Sequence, residues 1–317
     1  MTPRTRIYVA GGATLVGRAL IEQLRNAGQH HLVGLPPHEP DLTSMSHVDH
    51  FFATARPEIV FVAAGRAGGI LANQSFPAEL MLDNLLVSAH VIAAAFQHGV
   101  EKLLYLGSSC LYPRHAAQPL RPETLHTGSL EPTSAAYATA KLAGLTLCQA
   151  YRRQHGAPFI TAIPANAFGP HDEFHEHTGH VIPALIRRLH DAKVRQERTC
   201  AIWGTGRARR EFIFAPDLAD ACLFVIDRWD DKEPINLGSG QDLSIAELAA
   251  LIAEVVDYRG ELRFDHARPD GAPRKCLDSS VLFALGWRPA TALRASLEVT
   301  YAWFLEQQEP RHVRVAV

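Results

Sequence analysis

Short apolar runs alternate with longer amphipathic or Ala-rich stretches through the first half of this chain, and that alternation leaves few folds open. Arg6–Ala10 reads as a strand, followed by a glycine turn and an amphipathic helix to about Asn26. His31–Leu35 reads as a second strand, Val48–Thr54 as helix and Glu58–Ala64 as a buried strand. The helix Asp83–His98, the strand Lys102–Gly107, the helix Ala136–Gln154 and the strand Phe159–Pro164 continue the series. Strands that are apolar throughout must be covered on both faces, and crossover helices supply that cover. The expected fold is therefore α/β, a doubly wound, Rossmann-like parallel sheet.

After about Asn166 the texture changes. Phe168–Gly179 is loop-like and rich in His, and Val181–Ala192 is helical. Thr199–Trp203 and Arg210–Phe214 read as short strands, Pro216–Trp229 as helix and Pro234–Leu237 as strand. A helix Ser244–Val256 behind a Ser cap and a last helix Leu293–Gln308 complete the pattern. This organisation suggests a dinucleotide-binding body of residues 1–165, to which 215–240 return, and a smaller α/β substrate body of 166–214 and 241–317. A ligand between them would meet the carboxyl ends of the parallel strands.

Composition narrows the function classes. A formal net charge of -2 argues against nucleic acid as the main partner. The longest unbroken apolar runs, such as Ile59–Gly65, are too short for a bilayer, so no membrane partner is expected. The first residues lead straight into a strand, without the pattern of a secretory signal. The five cysteines are odd in number and contain no CxxC pair, which suits a reduced, cytoplasmic protein without structural zinc.

The first turn reads Gly11-Gly12-Ala13-Thr14-Leu15-Val16-Gly17. Glycines between a first strand and its helix allow a tight turn and close backbone approach to a pyrophosphate. Thr14 stands at the middle glycine position of a GxxGxxG pattern, where its Cβ is expected to hinder that approach or a positive φ. The stretch Leu35-Pro36-Pro37-His38-Glu39 offers neither the clear acidic residue of an NAD site nor the Arg of an NADP site. Asp41 and Leu42 are placed beside the adenine.

Further along come Ser108-Ser109-Cys110, Tyr137-x3-Lys141 and His180. Tyr137 and Lys141 share one helix face. The lysine ammonium is expected to favour the phenolate, lowering a pKa that starts near ~10. A phenol tuned in this way moves a proton to or from a substrate oxygen, and Ser108 can hydrogen-bond the same oxygen. Taken singly, Cys110 is a buried small hydrophobe or a site residue, His180 a helix cap or a site residue, and Trp203 core or ligand wall. The cluster His171, Asp172, Glu173, His175, Glu176, His177 and His180 invites a metal reading, but Gly169-Pro170 and Thr178-Gly179 around it point to a loop, and no metal is expected.

The segments Leu106–Pro113, Tyr137-x3-Lys141, Asn166–His171, His180–Ala184, Trp203–Gly206, Arg210–Phe212 and Pro269–Lys275 resemble the GDP-L-fucose synthase family of the extended short-chain dehydrogenases, over about Arg6 to Gln308. The resemblance implies a homodimeric 3,5-epimerase and 4-reductase acting on a GDP-4-keto-6-deoxy sugar, with NADPH as hydride donor and NAD as the alternative. It implies reduction by Ser108, Tyr137 and Lys141 and epimerisation by Cys110 and His180. It places Gly11 to Gly17, Asp41, Leu42, Ala63, Ala64, Tyr137, Lys141, Pro164, Ala165, Asn166 and His180 on the dinucleotide. Arg188, Trp203, Arg210, Asp270 and Lys275 would hold the sugar nucleotide. The alternatives are the same chemistry on a GDP-linked 4-keto deoxyheptose or dideoxyhexose, or a non-catalytic dinucleotide sensor.

Overall fold

The computed structural model describes residues 1–176 and 178–308. His177 and the last nine residues of the expected substrate body lie outside the described residues. In chain order the elements are β1 (Ile7–Ala10), α1 (Leu15–Asn26), β2 (Leu32–Val33), α2 (Met45–Ala55), β3 (Ile59–Val62), α3 (Ile70–Ser75), α4 (Pro77–Gln97), β4 (Lys102–Leu106), α5 (Ala135–His155), β5 (Phe159–Pro164), β6 (Asn166–Phe168), α6 (Val181–Val194), β7 (Thr199–Trp203), β8 (Arg209–Phe214), α7 (Ala215–Arg228), β9 (Ile235–Leu237), β10 (Asp242–Ser244), α8 (Ile245–Val256), β11 (Glu261–Asp265), β12 (Arg274–Lys275), α9 (Ser280–Ala284) and α10 (Leu293–Gln308).

Six strands form one parallel sheet in the order β2-β1-β3-β4-β5-β9. β1 and β3 are buried along their whole length, because helices cover both faces and every side chain meets a neighbour. The doubly wound expectation is met. Beside it, β8 pairs with β6, β10 and β12, and β7 pairs with β11. A second apolar core lies there, built around Phe168, Ile186, Leu189, Leu248, Ile252 and Phe304. The large core also takes Leu277, Leu282 and Trp287. That stretch therefore packs against the parallel sheet, whereas the sequence reading assigned all of 241–317 to the smaller body.

Several element ends differ from expectation for local reasons. The strand expected over His31–Leu35 is only Leu32–Val33. Gly34 turns the chain at φ 65 and Pro36 follows without an N–H to donate. The helix expected from Asp83 begins at Pro77, a residue whose fixed φ suits a first helical position. That extension makes α4 long and apolar enough to cross a membrane by length and composition, unlike any run singled out in the sequence. Here its Leu80, Val87, Val91 and Ile92 are buried in the protein. The short elements α3, β10, β11, β12 and α9 carry too few residues for a periodicity to show. The expected Ser244 cap is present as a capping box, with Ser244 Oγ accepting from Glu247 N and the Glu247 carboxylate accepting from Ser244 N.

The seat of α5 on β4 is close. A side chain at Gly144 would run into the ring and hydroxyl of Tyr105, which is fully buried. The Tyr105 hydroxyl donates to Lys141 O at 3.1 Å and lies 3.1 Å from Ser88 Oγ on α4. Gly144→Val should therefore lower stability by about 2–3 kcal/mol, the cost of overpacking a filled core. A urea-unfolding midpoint indistinguishable from that of the unsubstituted protein would show that the seat has slack.

Candidate active site

The carboxyl ends of β1, β3, β4 and β5 open into two cavities that share a wall. The larger, about 620 Å³, is lined by Ala13, Thr14, Leu15, Val16, Ala63, Ala64, Ser108, Tyr137, Lys141, Pro164, Ala165, Asn166 and His180, among others. The smaller, about 290 Å³, is lined by Ser108, Cys110, Tyr137, Asn166, His180, Arg188, Trp203, Arg210, Asp270 and Lys275, with other residues. The structure thus brings together every residue named for catalysis and for the sugar nucleotide, and most of those named for the dinucleotide. Gly11, Gly12 and Gly17 shape the turn behind the lining. Asp41 and Leu42 are not in the lining. Asp41 is exposed and accepts from Thr43 N and Oγ1, and Leu42 is buried in the large core.

Thr14 is not a defect in the turn. Its φ is -71 and its ψ 164, ordinary extended backbone for which glycine has no advantage. It caps α1: its hydroxyl oxygen accepts from Gly17 N at 3.0 Å, and the hydroxyl donates to Gly11 O at 2.8 Å. The positive φ of the turn falls on Gly11, at 85. Gly17 is required for another reason, since a Cβ there would collide with the Gly11 carbonyl. The first N–H groups of a helix lack intrahelical partners and attract phosphate, and Leu15 and Val16 bring them to the cavity. A dinucleotide pyrophosphate fits this turn.

One residue escaped the sequence reading. Glu39 lies half-buried over the turn, its Oε1 accepting from Gly11 N at 2.5 Å and from the Tyr8 hydroxyl at 3.0 Å. Burial raises its carboxyl from the usual range, and those hydrogen bonds pull it partly back. Its offset from the glycines and its acidity were visible, but the two prolines before it masked where the chain would turn.

Ser108 lies two residues past β4 and opens a 3-10 turn in which Cys110 N donates to Ser108 Oγ at 3.2 Å. Tyr137 and Lys141 lie on the first turns of α5. The structure overturns the expected lowering of the Tyr137 phenol. Burial and then the charge of Cys110 push it up, against a hydrogen bond with Ser108. The Lys141 ammonium sits 4.7 Å from the Tyr105 ring centroid, and burial brings its own pKa down to about 8. Tyr137 is accordingly arranged to hold its proton until a strongly basic oxygen forms beside it. Cys110 is shifted the other way. Burial would raise the thiol, but the Lys275 charge and hydrogen bonds with Ser108, Lys275 and Ser134 hold it below the ordinary range.

His180 precedes α6 at the junction of the two cavities, and is exposed. Its loop is fastened at one end by Phe174 against Phe304 and by His171 against Trp303, with ring centroids 4.9 Å apart in each pair. At the other end Gly69 N donates to Thr178 O at 2.9 Å. Arg188 and Arg268 place their guanidinium groups 5.0 Å and 4.7 Å from the Trp203 ring centroid. Arg210 is held by the carbonyls of Arg209 and Asp270, and the Asp270 carboxylate accepts from Thr205 N and Oγ1.

The model of the NAD dependent epimerase/dehydratase family matches residues 7–238. GDP-L-fucose synthase 1 of Arabidopsis thaliana is 48% identical over 301 residues, covering 95% of this chain and 93% of that protein. The chain belongs to this family, among the GDP-L-fucose synthases. Two solved structures in the family carry the same fold. A GDP-6-OMe-4-keto-L-xylo-heptose reductase from C. jejuni matches with a TM-score of 0.90 at 32% identity, covering 97% of this chain and 99% of that one. A GDP-L-fucose synthetase from Naegleria fowleri bound to NADP matches with a TM-score of 0.87 at 27% identity, covering 97% and 96%. In this family member the turn is closed by the Thr14 cap. Thr14→Ala should cost about 1 kcal/mol of unfolding free energy and weaken dinucleotide binding, whereas Thr14→Ser keeps both. Denaturant midpoints and dinucleotide fluorescence titrations check this, and equal behaviour of the two variants would remove the cap from the argument.

Proposed function

We propose that this protein converts GDP-4-keto-6-deoxy-D-mannose to GDP-L-fucose, by epimerisation at C3 and C5 followed by reduction at C4. The observation that carries the reading is the shared wall: Ser108, Tyr137 and His180 border both cavities, and Cys110 borders the smaller. One carbonyl held at that wall can be activated twice.

The chemistry sets the order. A ketone at C4 acidifies the hydrogens on C3 and C5, because the electron pair left behind becomes an enolate. Inversion needs a base on one face and an acid on the other. Cys110 as thiolate and His180 as imidazolium form that pair. Ser108 and Tyr137 hydrogen-bond the oxygen on which negative charge develops. When bound, the dinucleotide supplies hydride to C4. Tyr137, still protonated, then gives its proton to O4, and Lys141, which lines the larger cavity, would hold the nicotinamide ribose. Reduction comes last because it removes the acidity that epimerisation uses. Arg188 and Arg210 hold the diphosphate as fixed cations, with Trp203, Asp270 and Lys275 along the sugar nucleotide.

The larger cavity takes NADPH, and NADH as an alternative. Residues 1–165 with 215–240 serve as the dinucleotide-binding body, joined in its core by Leu277, Leu282 and Trp287, and the remainder as the sugar-nucleotide body. A homodimer pairs through α4 and α5, where Leu82 and Leu85 are exposed. Five free cysteines suit the cytoplasm. The heptose reductase of the same fold favours one second reading, the same chemistry on a GDP-linked 4-keto heptose.

The test is incubation with GDP-4-keto-6-deoxymannose and NADPH in deuterated water, with the product read by NMR. Deuterium should enter C3 and C5, and Cys110→Ala should abolish that entry. Tyr137→Phe should lower reduction by about 10²–10⁴-fold, the usual worth of a general acid. Normal deuterium uptake by the Cys110 variant, or undiminished hydride transfer by the Tyr137 variant, would remove that residue from its role. With no cation at Ala13 or Leu35 and the Glu39 carboxylate over the turn, NADH should serve within about tenfold of NADPH. A thousandfold preference for NADPH would contradict that.

A further inference from the structure

Lys275 is a long, solvent-loving side chain that this fold directs at sulfur. Its Nζ donates to Cys110 Sγ at 3.2 Å, across 165 residues of sequence. Its backbone neighbourhood is pinned on every side. Arg274 bonds the Asp242 carboxylate, Arg274 O accepts from Gln118 Nε2, Cys276 N donates to Gln118 Oε1, and Leu277 N donates to the buried Glu211 carboxylate. Pairing of β12 with β8 sets Lys275 beside Arg210. The ammonium is thus carried to the thiol by a rigid segment.

We propose that Lys275 is the positioning residue that keeps Cys110 in its thiolate form, rather than only a contact for the sugar nucleotide. The proposal rests on the reading of Cys110 as the epimerisation base. A neutral thiol cannot accept a carbon-bound proton, so the base must be charged before the substrate arrives. The groups facing Cys110 favour that charge. Lys275 and Arg210 are cationic, and Ser108 and Ser134 offer hydroxyls. The Tyr137 phenol is neutral while it keeps its proton. The carboxylates nearby are engaged elsewhere: Glu131 pairs with Arg114, and Asp270 accepts from Thr205. His180 lines the same cavity.

In the step itself the C–H bond of the substrate breaks and an S–H bond forms on Cys110. The electron pair passes into the enolate, and His180 returns a proton from the opposite face. The thiol then loses its proton to solvent, and His180 takes one up from solvent, which restores both groups. Lys275 stays charged throughout and transfers nothing.

The thiol can be read without substrate. Alkylation of the purified full chain by iodoacetamide across pH, followed at the Cys110 peptide by mass spectrometry, reports the thiolate fraction. The unsubstituted protein should alkylate with a midpoint below ~8.5, the value of a free thiol. Lys275→Met should raise that midpoint by about one unit and slow labelling near neutral pH about tenfold. Lys275→Arg should restore most of it. An unchanged midpoint in Lys275→Met overturns the proposal. If Lys275→Met does not fold, by circular dichroism, Lys275→Gln takes its place.

The exchange assay then separates roles. Loss of exchange kcat at neutral pH that recovers as pH rises is expected of Lys275→Met, and a raised KM with an unshifted pH profile would mark a substrate contact alone. If the unsubstituted protein exchanges no deuterium, the reading of the reaction fails. The alkylation midpoint still decides what Lys275 does to the thiol.

Discussion

The contact of α5 with β4 is the constraint on which the site depends. Ser108 leaves the end of β4, while Tyr137 and Lys141 leave the start of α5. Nothing local in either segment sets the distance between them. The buried Tyr105 hydroxyl, bonded to Lys141 O and filling the space left by Gly144, fixes the height of the helix on the strand. Packing of this density does not deform by small steps. Tyr137 and Ser108 therefore meet, with a hydrogen bond between their side chains, at a common oxygen site.

From that edge the electrostatics diverge over a short distance. The same burial that raises the Tyr137 phenol would raise the Cys110 thiol as well, and the charge of Lys275, with hydrogen bonds from Ser108, Lys275 and Ser134, separates their fates. Two acid–base groups in one cavity are thus moved in opposite directions, the phenol up and the thiol down. A site that first removes a proton from carbon and later gives one to oxygen needs that separation, since one set of conditions must serve both steps. Lys141, brought down to about 8 by burial, is poised rather than permanently charged.

The fold was largely legible because the buried strands and long helices carry strong periodic signals. Ile59–Val62 and Phe159–Pro164 could hardly be anything but covered strands, and the last helix was readable from Leu293 to Gln308. Legibility failed where structure is short or depends on a partner. β12 is two residues long and exists because β8 lies beside it. Thr14 looked like a flaw because a motif counts glycines, whereas the backbone needs a positive φ only at Gly11 and open space only where a Cβ would collide. The Tyr137 expectation failed because spacing on a helix shows that a lysine is near, and not that burial and the charge of Cys110 push the phenol up.

The sequence by itself determined the parallel sheet, the turn at its first strand and which side chains are candidates for the chemistry, because periodicity and residue chemistry are local properties. Which groups meet was decided by the tertiary structure. Lys275 reaches Cys110, and Glu39 reaches Gly11, through segments far apart along the chain. The charge state of each group follows from that meeting, because desolvation and the field of a neighbouring ion exist only once the chain has closed around them.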